Sequence, residues 1–197
     1  MFNIKNKIIA IDCDLTLFST DIQWLDYLKQ HCVSFDNKRF MHDFESRDIH
    51  YNLTNYFTFK DGFNGLDFFD LPSTYKEAKL LVNAKEVITK LAENNTIVFV
   101  SFCGHSQQHA QNKINRIIKE FPDLKNNLHF VSTNNKAIVK CDVIIDDRVH
   151  FLNQMPDNVI RILMDTPYTN ENLKNGENLY FVANWRHISN LLLEPNF

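Results

Sequence analysis

The sequence predicts a doubly wound, Rossmann-like α/β fold, a parallel sheet with helices on both faces and a small helical cap inserted after the first strand. Three observations carry this expectation. Four short apolar runs rich in β-branched residues fit strands covered on both faces. Segments with apolar residues at helical spacing alternate with the later runs. One aromatic-rich stretch near the start of the chain breaks that alternation.

The first run is Ile8–Ile11, which Asp12 and Asp14 cut short, so it reads as neither a signal peptide nor a membrane span. Residues 19–72 offer no good buried strand and hold 8 of the 17 phenylalanines, with Trp24, Tyr27, Tyr51 and Tyr56. Ile22, Leu25 and Leu28 suggest a first helix there. This segment reads as a cap over the sheet's carboxyl edge, most of its aromatics forming a small core and one or two lining a pocket for a planar ligand. Lys76–Asn94 is helical in pattern through Ala78, Leu81, Val82, Val87, Ile88 and Leu91. Ile97–Val100 is the second run. A helix follows from an N-cap at Ser106 to Phe121, with Ile114, Ile117 and Ile118 on one face and Pro122 just past its end. Val143–Ile145 and Ile160–Met164 are the third and fourth runs. The expected organisation is a core of residues 1–18 and 73–197 with an insert at 19–72.

A chain of 197 residues suits one domain with a small insert and buries roughly 70% of its unfolded surface. There are only 4 glycines, Gly62, Gly65, Gly104 and Gly176. Neither G-x-x-x-x-G-K-[ST] nor G-x-G-x-x-G occurs, so any phosphate must be held without a glycine-rich cradle. The net charge of −3 gives no footprint for nucleic acid or anionic lipid. The 4 cysteines (Cys13, Cys32, Cys103, Cys141) contain no C-x-x-C pair, which favours free thiols in a reducing cytoplasm over disulfides or a zinc ribbon.

Charge is concentrated at the ends of the apolar runs. The first ends in Asp12-Cys13-Asp14-Leu15-Thr16 and the third in Asp146-Asp147. The carboxyl edge of a parallel sheet is where open α/β folds bind ligands. Four carboxylates converging there repel unless a hard cation neutralises them, and oxygen ligation of this kind suits Mg²⁺. Ser101 closes the second run, and Lys136 precedes Asp146 by ten residues.

These four elements, in this order, resemble the signature of the haloacid-dehalogenase-like (HAD) phosphohydrolases. Within that superfamily the chain is most similar to the 5′(3′)-deoxyribonucleotidases. Asn135-Lys136-Ala137, then Cys141 to Arg148, has that group's spacing, and Tyr180-Phe181-Val182-Ala183-Asn184-Trp185 resembles its last strand and tryptophan-bearing helix. The resemblance implies a Mg²⁺-dependent phosphomonoesterase that works through an aspartyl-phosphate on a small phosphomonoester, a (deoxy)ribonucleoside 5′-monophosphate; no membrane partner is expected, the acidic balance and lack of a basic stripe disfavour nucleic acid, and a homodimer is left open. Asp12 would be the nucleophile and Asp14 the acid and base, which requires environments that push their pKa values apart, with Asp14 neutral when Asp12 is ionised. Ser101, Phe102 and Lys136 would bind substrate. Asp12, Asp146, Asp147 and the backbone carbonyl of Asp14 would hold the metal.

Two positions depart from the family's pattern. Leu15 stands where glycine is usual, and Asn134 where relatives carry an arginine, which removes a bidentate phosphate contact. Other classes compete: a phosphatase for nucleic-acid 3′-phosphate ends, or a non-catalytic nucleotide-binding module. His105 and His109, four apart, read as a solvated face rather than a metal pair. Cys13 reads as core, and Cys103 as an unsupported thiol nucleophile.

Overall fold

A computed structural model describes residues 2–104, 106–168 and 178–193. Its chain runs β1 (Ile8–Ile11), β2 (Phe18–Ser19), α1 (Asp21–His31), β3 (Cys32–Phe35), α2 (Asn37–Glu45), β4 (Phe57–Phe59), α3 (Pro72–Glu77) and β5 (Lys79–Leu80). It continues through α4 (Ala84–Ala92), β6 (Thr96–Ser101), α5 (Gln107–Glu120), β7 (His129–Ser132), β8 (Val143–Asp146), α6 (Val149–Leu152), β9 (Ile160–Met164), β10 (Leu179–Val182) and α7 (Trp185–Leu192).

Six strands form one parallel sheet in the order β10-β9-β8-β1-β6-β7. Alternate residues leave opposite faces of each strand. Ile9, Ile11, Ile97, Phe99, Val143, Ile145 and Ile162 pack with α4, α5 and α7, while Ala10, Val98, Val100, Ile144 and Leu163 pack against Val149, Leu152 and Met155. Burial on both faces explains the largely apolar runs, which in β9 include the buried Arg161. Strand β7 lies at the sheet edge with every residue at least partly exposed, so it lacks such a run.

The helix expected over Lys76–Asn94 is broken into α3, β5 and α4. Lys79 and Leu80 pair antiparallel with β2, and Leu81 N–H donates to Leu17 O at 2.9 Å. That pairing straps the chain to the segment following β1 and overrides helical periodicity. Asn83, with φ of +67°, makes the left-handed step that restarts the helix.

The segment between β2 and α3 builds a separate apolar cluster from Trp24, Leu28, Ile49, Leu53, Tyr56 and Phe68. It contains two α-helices, two short 3-10 helices and the short antiparallel pair β3–β4, whose strands are too exposed to show as apolar runs. Trp24 Nε1 donates to Gly65 O at 2.9 Å, tying α1 to the far end of the segment.

Candidate active site

The carboxyl ends of β1, β6 and β8 place the sequence-derived residues at one edge of the sheet. Asp12 continues β1, its N–H donating to Ile145 O at 2.9 Å. The chain then turns tightly: Leu17 and Phe18 N–H both return to Cys13 O, and Trp185 Nε1 donates to Thr16 O at 2.8 Å. The tryptophan of α7 therefore anchors the loop that carries both aspartates. Leu15 sits in this turn with φ of +60°, the conformation that favours glycine. Ser101 ends β6 and Asp146 ends β8.

Asp12, Asp146 and Asp147 are buried and offer carboxylate oxygens all within 4.8 Å of one another. Lys136, also buried, sits between two of them, its Nζ 2.5 Å from Asp12 Oδ1 and 2.6 Å from Asp146 Oδ2. One ammonium faces three carboxylates. Burial, reinforced by Asp146 and Asp14 against the pull of Lys136, raises Asp12 to about 6. Burial and the charges of Asp12 and Asp146 push Asp147 well above the usual carboxylate range. Burial alone would lower Lys136, but Asp12 and Asp146 outweigh it and hold its ammonium well above the ordinary lysine range. A compact, oxygen-only donor set with excess negative charge fits a hard divalent cation such as Mg²⁺.

Asp14 faces a different set of partners. Its Oδ2 accepts from Lys113 Nζ at 2.5 Å and its Oδ1 from the Tyr75 hydroxyl at 2.8 Å. Lys113 also donates to Ser101 Oγ at 2.6 Å, and Tyr75 bonds His109 Nε2 at 2.9 Å. Burial would raise Asp14, but Lys113, His109 and the two hydrogen bonds together hold it below the usual carboxylate value. The two aspartates are thus separated electrostatically, but in the sense opposite to expectation: Asp14 is held ionised while Asp12 is pushed toward neutrality. For Asp14 the reason is Lys113, a cation unread in the sequence, acting against burial; for Asp12 it is burial itself.

His109 is a second correction. It is only 9% exposed, stacks on Phe69 and Tyr75, and is no part of a solvated face. Its partner His105 lies outside the described residues. Cys13 is fully buried in the core, and Cys103 is buried with its thiol raised by desolvation, unsuited to nucleophilic attack. Phe102 is 47% exposed immediately after Ser101. Asn134 is exposed, its carbonyl accepting from Gln154 Nε2 at 3.2 Å, and Gln154 in turn accepts from Lys136 N–H at 2.9 Å.

The functional residues that the sequence reading missed are Lys113, Tyr75 and Tyr168, whose hydroxyl donates to Asp147 Oδ2. Lys113 had a signal: it lies four residues after His109 and four before Ile117, on the buried stripe of α5. Beside Asp14 opens a cleft of about 480 Å³ between the sheet edge and the insert, lined by Leu15, Trp24, Phe40, Phe69, Met164 and Tyr168 among others.

The chain is similar in sequence and in fold to known proteins. The chain is 26% identical over 188 residues to a 5′(3′)-deoxyribonucleotidase of Bacillus subtilis (strain 168), spanning 95% of this chain and 99% of that protein. The same figures hold for the 5′(3′)-deoxyribonucleotidase of Bacillus phage SPbeta. Among solved structures, a haloacid dehalogenase-like hydrolase from Burkholderia xenovorans LB400 superposes with a TM-score of 0.59 at 14% identity, covering 94% of this chain and 95% of that one. The HAD hydrolase YfnB of Bacillus subtilis, bound to magnesium, gives 0.53 at 11% identity, covering 96% and 99%. The model of the family described as 5′ nucleotidase, deoxy (pyrimidine), cytosolic type C protein (NT5C) matches residues 7–196, so the chain belongs to that family and is a phosphoric monoester hydrolase.

Proposed function

We propose that the protein is a Mg²⁺-dependent phosphatase of deoxyribonucleoside monophosphates that works through an aspartyl-phosphate. The observation that supports this best is the buried carboxylate trio of Asp12, Asp146 and Asp147, set beside the Asp14–Lys113–Ser101 group. The carboxylates of Asp12, Asp146 and Asp147, with the backbone carbonyl of Asp14, would hold the metal. A bound Mg²⁺ supplies charge neutralisation between carboxylates and phosphoryl oxygens.

In the first step an Asp12 carboxylate oxygen forms a bond to phosphorus as the ester P–O bond breaks, and Asp14 gives its proton to the departing alkoxide. Water then attacks phosphorus, its proton passes to Asp14, and the acyl-phosphate bond breaks to release inorganic phosphate and free Asp12. The like charge of an arriving phosphate raises the pKa of Asp14, opposing the effect of Lys113 and favouring the protonated form that the first step needs. Lys136 and Lys113 offset phosphate charge, Ser101 hydrogen-bonds a phosphoryl oxygen, and Phe102, exposed next to Ser101 in the chain, would contact substrate. The apolar cleft suits a nucleoside leaving group, with residues 19–72 acting as the cap that closes over it. The four free thiols suit a reducing cytoplasm.

The test is phosphate release with Mg²⁺ across a panel of 5′- and 3′-mononucleotides, sugar phosphates and p-nitrophenyl phosphate. Deoxyribonucleotides should head the profile, and Asp12→Asn should abolish turnover without unfolding the protein. A flat profile removes the nucleotide reading, and full activity in Asp12→Asn removes the mechanism.

A further inference from the structure

Tyr168 lies four residues beyond the end of β9 and belongs to none of the motifs read from the sequence. Its hydroxyl donates to Asp147 Oδ2, while Thr16 Oγ1 donates to Oδ1 of the same buried carboxylate at 3.2 Å. A carboxylate oxygen that accepts one hydrogen bond keeps a lone pair for a cation, so this double bonding orients Asp147 without disabling it.

The other side of Tyr168 meets the insert. Its ring stands edge-to-face on Tyr51, centroids 5.4 Å apart and planes at 82°, and packs on the apolar cluster that includes Trp24 and Ile49. Adjacent residues strengthen the seam. Ile49 N–H donates to Pro167 O at 3.3 Å, and Arg47 Nη2 donates to Thr166 O at 3.0 Å and pairs with Asp165. The Arg148 guanidinium, next to Asp147 in the chain, lies 3.6 Å from the centre of the Tyr51 ring. The strip 165–168 therefore touches both a candidate metal ligand and the insert.

We propose that Tyr168 is a positioning residue that holds Asp147 in its cation-binding orientation and ties that orientation to docking of Tyr51. This rests on the reading of Asp12, Asp146 and Asp147 as the Mg²⁺ site. Coupling of this kind is reciprocal: whatever docks the insert tightens the cation, and the cation favours the docked insert by the same factor. Loss of a hydrogen-bonding partner behind a metal ligand weakens metal binding about 10- to 100-fold.

The experiment titrates Mg²⁺ calorimetrically into the parent, Tyr168→Phe and Tyr51→Ala proteins without substrate, and follows amide hydrogen exchange across residues 47–51. Phenylalanine keeps the ring contact and removes only the hydroxyl, so the fold should persist. Tyr168→Phe should bind Mg²⁺ about 10- to 100-fold more weakly. Tyr51→Ala should weaken Mg²⁺ by a smaller factor, and Mg²⁺ should slow exchange at 47–51 in the parent but less in either variant. Equal Mg²⁺ affinity in the parent and Tyr168→Phe overturns the role of Tyr168. Exchange at 47–51 that ignores Mg²⁺ overturns the coupling. A parent that binds no divalent cation overturns instead the metal-site reading beneath it.

Discussion

Replacing Lys113 by Met removes a buried charge while keeping the stem that fills its place in α5. Its Nζ lies 2.5 Å from Asp14 Oδ2 and 2.6 Å from Ser101 Oγ, and its side chain is completely buried. Removing one partner strands the other as an uncompensated charge, which costs about 3–5 kcal/mol in a buried pair. Asp14 keeps 18% side-chain exposure and the Tyr75 hydrogen bond, so the lower end, about 3 kcal/mol, is expected at neutral pH. The pH window follows from the two shifts. Asp14 is lowered from 3.8, so its contribution is present above that value and lost as pH falls through its folded pKa. Burial would lower Lys113, yet Asp14 and its other acidic neighbours hold it above its ordinary value of 10.5, so its contribution is present below that value. The pair is at full strength from about pH 5 to pH 9. In the variant, Asp14 has lost its counter-charge and titrates higher, so the gap to the parent should narrow as pH falls from 7 to 5. Urea unfolding of the parent, Lys113→Met, Asp14→Asn and the double variant at both pH values measures this. A loss below about 1 kcal/mol for Lys113→Met at pH 7 would refute the reasoning. So would single-variant losses that simply add in the double.

The remaining predictions concern the loop and its support. Leu15 occupies a left-handed conformation that costs a non-glycine residue about 1–2 kcal/mol. Leu15→Gly relieves this but gives up half-buried apolar contact, so denaturation should place it within about 1 kcal/mol of the parent; a loss of about 3 kcal/mol, typical of truncating a core leucine, would contradict the strain. Burial, then the charge of Lys113, lowers His109 from 6.5 to about 4, so it is neutral when folded. Its stabilising effect is present above pH 6.5 and is lost as pH falls through about 4, a change of about 3 kcal/mol. His109→Gln should flatten the stability profile between those pH values; parallel profiles for parent and variant would exclude His109 as the source.

Some of this molecule was legible because the physics is local. Ile8–Ile11, Val143–Ile145 and Ile160–Met164 read as strands because a strand covered on both faces is largely apolar. The α5 boundaries were legible too, since Ser106 accepts from His109 N–H in the structure, the capping contact its residue type suggests. The stretch from Lys76 to Asn94 misled because its helical periodicity competes with pairing of Lys79 and Leu80 to Phe18 and Ser19. That partner lies some sixty residues back and leaves no local mark. His109 misled for the same reason, its neighbours Tyr75 and Phe69 being supplied by other elements.

The sequence by itself determined which carboxylates end up at the sheet edge, because Asp12, Asp14, Asp146 and Asp147 directly follow or end apolar strands whose direction a parallel sheet enforces. Only the tertiary structure decided which cation and which hydroxyl each carboxylate meets. Lys136 bridges Asp12 and Asp146, Lys113 and Tyr75 take Asp14, and Tyr168 and Thr16 take Asp147. Together with burial, those pairings shift Asp12, Asp14 and Asp147 from their ordinary values, and they are made across separations of 10 to 131 residues. Local periodicity does not say which partner a side chain meets over such distances, whereas electrostatics in a buried site depends on contacts of a few ångströms.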